Sequence, residues 1–292
     1  MARPEKTFAL TYHIETVYLF TRSDFKTIFF PVIIFAVAAS STFEIHALIR
    51  TAVWTWIHLL QANVSNQTFS GQEDKLNKPW RPLPSGRITV QQARAFRFVL
   101  AAFCFSLSYM QGPAVAAASF GLTVVEILHD DFSLSRHPIL KNLCNVGGYL
   151  TFEIGATLSM ASSQKIDATT STALLTSALV IFTTISAQDF ADTDGDKLSH
   201  RRTLPLIAPI ASRWYISIAV TFWSLILAET WGLGPFFGGS FLAFGTYVGS
   251  RYFRLRDATN DQFSYVFYNI WLLIIHLLPL NAHNKLLCTD ST

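Results

Sequence analysis

Residues 169–206 read TTSTALLTSALVIFTTISAQDFADTDGDKLSHRRTLPL. The segment 169–189 is uncharged up to Asp189 and lacks period-2 alternation, and as a helix rising about 1.5 Å per residue it spans about 30 Å of hydrocarbon. It runs straight into Asp189, Asp192, Asp194 and Asp196, then into a basic loop closed by Pro205. A helix that is apolar all round and acidic at one end reads as a membrane span carrying a polar site at its mouth.

Moving outward from it, runs of the same kind recur along the chain. They cover 25–40, 44–66, 92–110, 114–129, 142–161, 169–189, 208–230, 235–253 and 262–280. Only helices and closed barrels satisfy the backbone in lipid, and these runs have helical length. The expected fold is all-α, a polytopic membrane protein of about nine transmembrane helices in one domain over residues 1–292. Within it, 1–23 forms an interfacial N-terminal segment and 281–292 a short tail. Composition agrees: 51% of the 292 residues are apolar and 14% charged, well below the roughly 25% charged of a soluble domain. A net charge of +3 excludes a nucleic-acid surface. Cys104, Cys144 and Cys288 lack any CxxC spacing, which implies neither a disulfide framework nor a zinc site.

The basic residues cluster at alternate breaks. Arg3, Lys6, Arg22 and Lys26 precede the first run, and Lys75, Lys78, Arg81, Arg87, Arg94 and Arg97 surround the break between runs two and three. Arg136 with Lys141, then Lys197, Arg201, Arg202 and Arg213, then Arg251, Arg254 and Arg256 follow at the next alternate breaks. By the positive-inside rule the N-terminus and these loops are cytosolic. The sequons at Asn63 and Asn66 then lie on the cytosolic side, where they stay unmodified. The N-terminus has no uninterrupted apolar core or cleavage site and does not read as a cleaved signal peptide.

A second polar helix end, QANVSNQTFSGQEDKLNKPWRPLPSGRI at 61–88, matches the first. If its helix continues, Asn63, Asn66, Gln67, Ser70 and Asp74 fall within about 100° of one face. Asp189, Asp192 and Asp196, at i, i+3 and i+7, share a face likewise. Gln67, Ser70 and Asp74 each lie 122 positions before Asp189, Asp192 and Asp196, which suggests a duplicated helical unit. Clustered aspartates repel unless cations neutralise them. Oxygen donors beside Lys and Arg suit Mg²⁺ and a diphosphate. Asp130 and Asp131 read as a helix-terminal pair, whereas Glu126 and Glu153 lie inside apolar runs, where an acid faces the bundle interior or a cavity.

These residues resemble the UbiA superfamily of intramembrane prenyltransferases, and the resemblance covers essentially the whole chain. DKLNKPWRPLPSGRI, 74–88, is similar to the family's first loop, and QDFADTDGD followed by TLP to its second motif. The resemblance implies Mg²⁺ between two aspartate-rich motifs, with a prenyl diphosphate headed into the cytosolic end. Carried over, the metal ligands are Asn66, Glu73, Asp74, Asp189, Asp192 and Asp196, and the catalytic acids are Asp74, Asp189, Asp192 and Asp196. Lys75, Asn77, Arg81, Arg136, Lys141 and Lys197 are candidates for the diphosphate. The family's first motif, N-D-x-x-D-x-x-x-D, here has Gln67 and Ser70 in place of two aspartates. That relaxation resembles the fungal UbiA-type terpene cyclases, which implies cyclisation of a geranylgeranyl or farnesyl diphosphate. Prenyl transfer to an aromatic or other small acceptor is the alternative. Membrane lipid is the expected surrounding, the endoplasmic reticulum the expected location, and oligomeric state is left open by the sequence.

Overall fold

The structure, a computed structural model, describes residues 7–40, 43–161 and 165–284; Arg3, Lys6, Lys285 and Cys288 fall outside them. In chain order it comprises α1 (Thr7–Thr21), a π turn (Phe25–Phe29) leading into α2 (Phe30–Ala39), α3 (Ile45–Phe69), α4 (Gly71–Asn77) and α5 (Val90–Gln111). Next come α6 (Pro113–Glu126) with a π turn (Ile127–Asp131), a 3₁₀ turn (Leu134–Arg136), α7 (Pro138–Met160), and α8 (Ala168–Thr184) with a 3₁₀ turn (Ile185–Phe190). The chain ends in α9 (Thr193–Leu198), α10 (Leu204–Ile207), α11 (Pro209–Thr230), α12 (Pro235–Arg254), α13 (Ala258–Leu277) and α14 (Pro279–Asn284). No strand occurs among the described residues.

Local chemistry explains the boundaries. Pro113, Pro138, Pro209 and Pro235 stand at the first position of α6, α7, α11 and α12, where a missing N–H loses no hydrogen bond. Thr89 and Gln92 form a reciprocal capping box at the start of α5. The Asp167 and Asp257 carboxylates accept from the Thr170 and Asn260 amides at 2.7 and 3.0 Å, opening α8 and α13.

Helices α2, α3, α5, α6, α7, α8, α11, α12 and α13 each take up one of the predicted apolar runs. Four segments among the described residues, Val90–Gln111, Ala168–Phe190, Pro209–Thr230 and Ala258–Ala282, are long and apolar enough to cross a membrane. α5 buries Ala93, Arg97, Leu100, Cys104 and Ser108 on one stripe and leaves Phe98, Val99, Phe103 and Met110 exposed. That outward apolar face suits lipid.

Small residues set the closest helix contacts, as expected where lipid gives no hydrophobic drive between helices. A Cβ on Gly155 of α7 would come within 2.1 Å of the fully buried Trp54 ring of α3. One on Gly249 of α12 would lie 2.7 Å from the Ser217 carbonyl of α11. Gly155→Ala is therefore expected to destabilise by about 1–3 kcal/mol, since the indole cannot retreat through packed helices. Gly148→Ala, with open space at its Cβ, serves as control. Equal thermal midpoints for the two purified variants would refute this packing account.

The two continuous polar faces expected from sequence do not form. α3 ends at Phe69 and the chain restarts as α4 after Ser70. α8 tightens into 3₁₀ geometry at Ile185, and Asp192 caps α9. Short polar side chains compete for backbone groups and favour such breaks. The acids therefore converge from turns, not along one stripe.

Candidate active site

The π turn before α2, the end of α3, α4 and its following loop, the head of α7 and the turns around α9 enclose a cavity of about 250 Å³. Its wall carries Asp24, Glu73, Asp189, Asp192 and Asp196 together with Lys78, Arg81, Lys141 and Arg201. Five carboxylates against four cations leave a small acidic excess, and most of the acids are already held by ion pairs. Buried Lys141 donates to Asp189 Oδ1 at 2.6 Å. Arg201 reaches Glu73 Oε2 at 2.7 Å and Asp196 Oδ1 at 3.5 Å. Burial raises the Glu73 carboxyl above its ordinary pKa; Arg201 opposes this, and Asp196 and Asp74 add to it.

Two donors are left over. Asp196 Oδ2 is buried without a hydrogen-bond partner. Asp192, partly exposed, has no ion-pair partner among the described residues and its side chain makes no capping bond. Hard oxygen donors of this kind fit a divalent cation, with Asn66 and Glu73 on the same wall. As they stand, no three acidic, His or Cys side chains are gathered closely enough to hold a metal among the described residues; Lys141 pairs with Asp189, and Arg201 with Glu73 and Asp196.

The cavity wall thus brings together Asn66, Glu73, Arg81, Lys141, Asp189, Asp192 and Asp196 from the predicted set. Asp74 stands behind that wall, accepting from Ser70 Oγ and Arg81 Nη1, both at 2.7 Å. The Asn77 side chain packs against Gly195, where an added Cβ would lie 2.3 Å from its amide nitrogen. Lys197 is exposed, 3.5 Å from Asp194, and lines a different cavity beside Arg213 and Arg256. Lys75 and Arg136 line a groove outside the cavity. Gln67 also turns away: its Nε2 donates to the Phe20 carbonyl of α1 at 2.9 Å.

Asp24, Lys78, His129 and Arg201 line the cavity without having been singled out by sequence. Each sits at a helix boundary, where positive-inside bias hides a functional cation and a lone acid beside Arg22 and Lys26 looks like ordinary surface charge. Asp24 is held by Ser23 Oγ at 2.7 Å and Thr27 Oγ1 at 3.2 Å.

A second cavity of about 190 Å³ shares Asp24, Ile28, Asn63, Asn66, His129, Asn145 and Tyr149 with the first, so the two lie side by side. Leu59, Leu122, Val125 and Phe152 make its inner wall apolar. The Tyr149 hydroxyl donates to the Thr27 carbonyl at 3.0 Å, fixing the ring at the junction. Asp130 binds the ends of α3 and α6 together, accepting from Ser65 Oγ at 2.5 Å and pairing with His129 at 2.8 Å. Of the two acids inside apolar runs, Glu126 lines this arm and accepts from Gln61 Nε2 at 3.0 Å. Glu153 is fully buried in the bundle, accepting from Ser177 Oγ at 2.6 Å and lying 3.3 Å from His276 Nε2. A polar, charge-dense head room beside an apolar arm suits an amphiphile with an anionic head.

The profile of the UbiA prenyltransferase family matches residues 27–273. The chain is similar to the fumagillin beta-trans-bergamotene synthase of Aspergillus fumigatus, 29% identical over 91% of this chain and 92% of the relative. It is similar to the diterpene cyclase eriG of Hericium erinaceus, 29% identical over 92% of this chain and 89% of the relative. In fold it is similar to a UbiA homologue from Archaeoglobus fulgidus solved with GPP and Mg²⁺, with a TM-score of 0.63 at 10% identity over 91% of this chain and 99% of that one.

Proposed function

The chain belongs to the UbiA prenyltransferase family, and from that premise we propose that it is a Mg²⁺-dependent terpene cyclase embedded in the membrane. It ionises geranylgeranyl or farnesyl diphosphate, releasing diphosphate, and cyclises the resulting carbocation, which loses a proton to give a hydrocarbon. One observation carries this reading: the carboxylate- and cation-lined cavity adjoins the apolar arm along seven shared lining residues. The head room takes a diphosphate, and the arm takes its chain.

Lys78, Arg81, Lys141 and Arg201 bind the diphosphate oxygens, Lys141 and Arg201 exchanging carboxylate partners for phosphate. Mg²⁺ would be held by Asp189, Asp192 and Asp196 with Asn66 and Glu73, and would neutralise the charge that gathers on the leaving group. Leu59, Leu122, Val125 and Phe152 exclude water from the arm, so the carbocation is not captured early. The locked ring of Tyr149 and the ring of Phe152 offer π faces to the positive charge.

Nine spans, with α1 at the membrane surface and the N-terminus cytosolic in the endoplasmic reticulum, complete the proposal. They put the charged cavity at the aqueous edge and the arm within hydrocarbon. Transfer to an acceptor is the second reading, favoured by the activity for which the family is named. Membranes containing the protein, given each prenyl diphosphate with Mg²⁺ and no acceptor, are expected to yield a cyclic hydrocarbon by gas chromatography and mass spectrometry. Turnover seen only after an aromatic or other small acceptor is added would replace the cyclase reading with transfer.

A further inference from the structure

We infer that diphosphate leaves the active-site cavity sideways, through a polar passage that ends in a basic groove formed by Arg136, Lys75 and His200. The inference rests on the proposed prenyl diphosphate chemistry, but is indifferent to whether the organic fragment is cyclised or transferred.

Three spaces lie in a row. A space of about 110 Å³ shares Asn66, Glu73 and Arg201 with the active-site cavity. It shares Phe69, Ser70, Arg136 and Ser199 with an outer groove of about 590 Å³. Ser133 and Ser199 line the middle space and offer hydroxyl donors to phosphate oxygens, while the Ser135 hydroxyl donates to the His129 carbonyl at 3.1 Å and the Asp130 carboxylate shares the wall with Arg136 and Arg201. In the groove, Lys75, Arg136 and His200 are exposed, and the two cations have no ion-pair partner among the described residues. The groove therefore presents uncommitted positive charge to an anion leaving the cavity.

The common wall of cavity and passage is the 2.7 Å ion pair between Glu73 of α4 and Arg201 beyond α9. The diphosphate has already drawn Arg201 away from Glu73 on binding, so that barrier stands loosened when the anion is freed from its chain. The outer rim is fixed: the Arg202 amide donates to the Arg136 carbonyl at 3.1 Å, tying the loop before α7 to the loop after α9. Ser133 and His200, with φ of 57° and 53°, are the two non-glycine residues with positive φ among the described residues, and each lines this route. Such strained backbone clusters where a loop has a task.

Direction follows from size and polarity. The middle space is small and polar, lined by Glu73, Asp130, Arg136, Arg201 and four serines, unsuited to a prenyl chain, and it meets the apolar arm only at Asn66 and Asp130. An intact substrate does not fit this route; the small anion left after ionisation does.

The test is a single-turnover experiment on purified protein with the prenyl diphosphate it consumes. Organic product is read by quenching, and diphosphate in bulk solution by a pyrophosphatase-coupled phosphate sensor. Lys75→Ala/Arg136→Ala is expected to delay diphosphate appearance behind organic product by about tenfold, with Lys75/Arg136→Lys closing most of the gap. Both side chains are exposed, and Lys75→Ala alone is expected to give part of the same lag. Simultaneous appearance of both products in every variant would overturn the passage. A fall in kcat/KM without a lag would overturn it too, assigning these cations to substrate capture. A wild-type protein that releases no diphosphate from any prenyl chain, with or without acceptor, would overturn the underlying chemistry instead.

Discussion

Asp192→Ala is expected to lower turnover by about 100- to 1,000-fold while leaving the protein membrane-inserted and monodisperse, on the scale of losing one group that stabilises developing charge. The site singles this residue out. Removing Asp189 would strand the buried Lys141, and removing Asp196 would disturb the Arg201 contacts, so either variant mixes folding with chemistry. Asp192 lines the cavity without an ion-pair partner, and alanine there leaves no buried charge behind. Asp194→Ala is the matched control, since Asp194 is 81% exposed and touches only Lys197 at 3.5 Å. Diphosphate release should be followed at saturating Mg²⁺ for both variants, with size-exclusion profiles and thermal midpoints alongside. Retained turnover in Asp192→Ala would remove that carboxylate from the metal-holding set.

The second large effect concerns stability. Arg81 and Asp74 form a pair whose side chains are 6% and 2% exposed, at 2.7 Å, and Arg81 also donates to Ser23 Oγ at 3.2 Å. Arg81→Met leaves the Asp74 charge buried with only Ser70 to hold it, a loss of about 3–5 kcal/mol. The thermal midpoint should fall by on the order of 10 °C. Adding Asp74→Asn removes the stranded charge, and the double variant is expected to recover most of that loss. Activity is expected to stay low in the double variant, because Arg81 also lines the cavity. A single variant as stable as wild type would show that the pair does not hold α4 in place. Restored turnover in the double variant would reduce Arg81 to a structural role.

The helices were legible in the sequence because their limits are written locally, in proline at the first position of α6, α7, α11 and α12 and in apolar runs of helical length. The second acidic motif was legible for the same reason: four aspartates in eight positions need a purpose wherever they sit. The sorting of cations was not. Lys141, Lys75 and Lys197 are alike in sequence, each a lysine at a helix boundary, yet the first is buried against Asp189 and the other two point into separate outer spaces. That difference depends on where α3 and α8 break, and a break of one residue at Ser70 or a tightened turn at Ile185 redirects every side chain beyond it. Asp24 was missed because its role depends on the π turn that carries it to the cavity, and nothing in FKTIF announces such a turn.

Gln67 bears on how this chain can change. Where the resemblance implies an aspartate, Gln67 is fully buried and its Nε2 donates to the Phe20 carbonyl of α1. A return to aspartate would shorten the side chain, remove the donor and set a carboxylate against that carbonyl oxygen, away from the cavity where a ligand would be useful. Gln67 thus serves as a strut between α3 and α1, and the residues lining the apolar arm are the ones whose substitution can reshape the cavity without undocking α1.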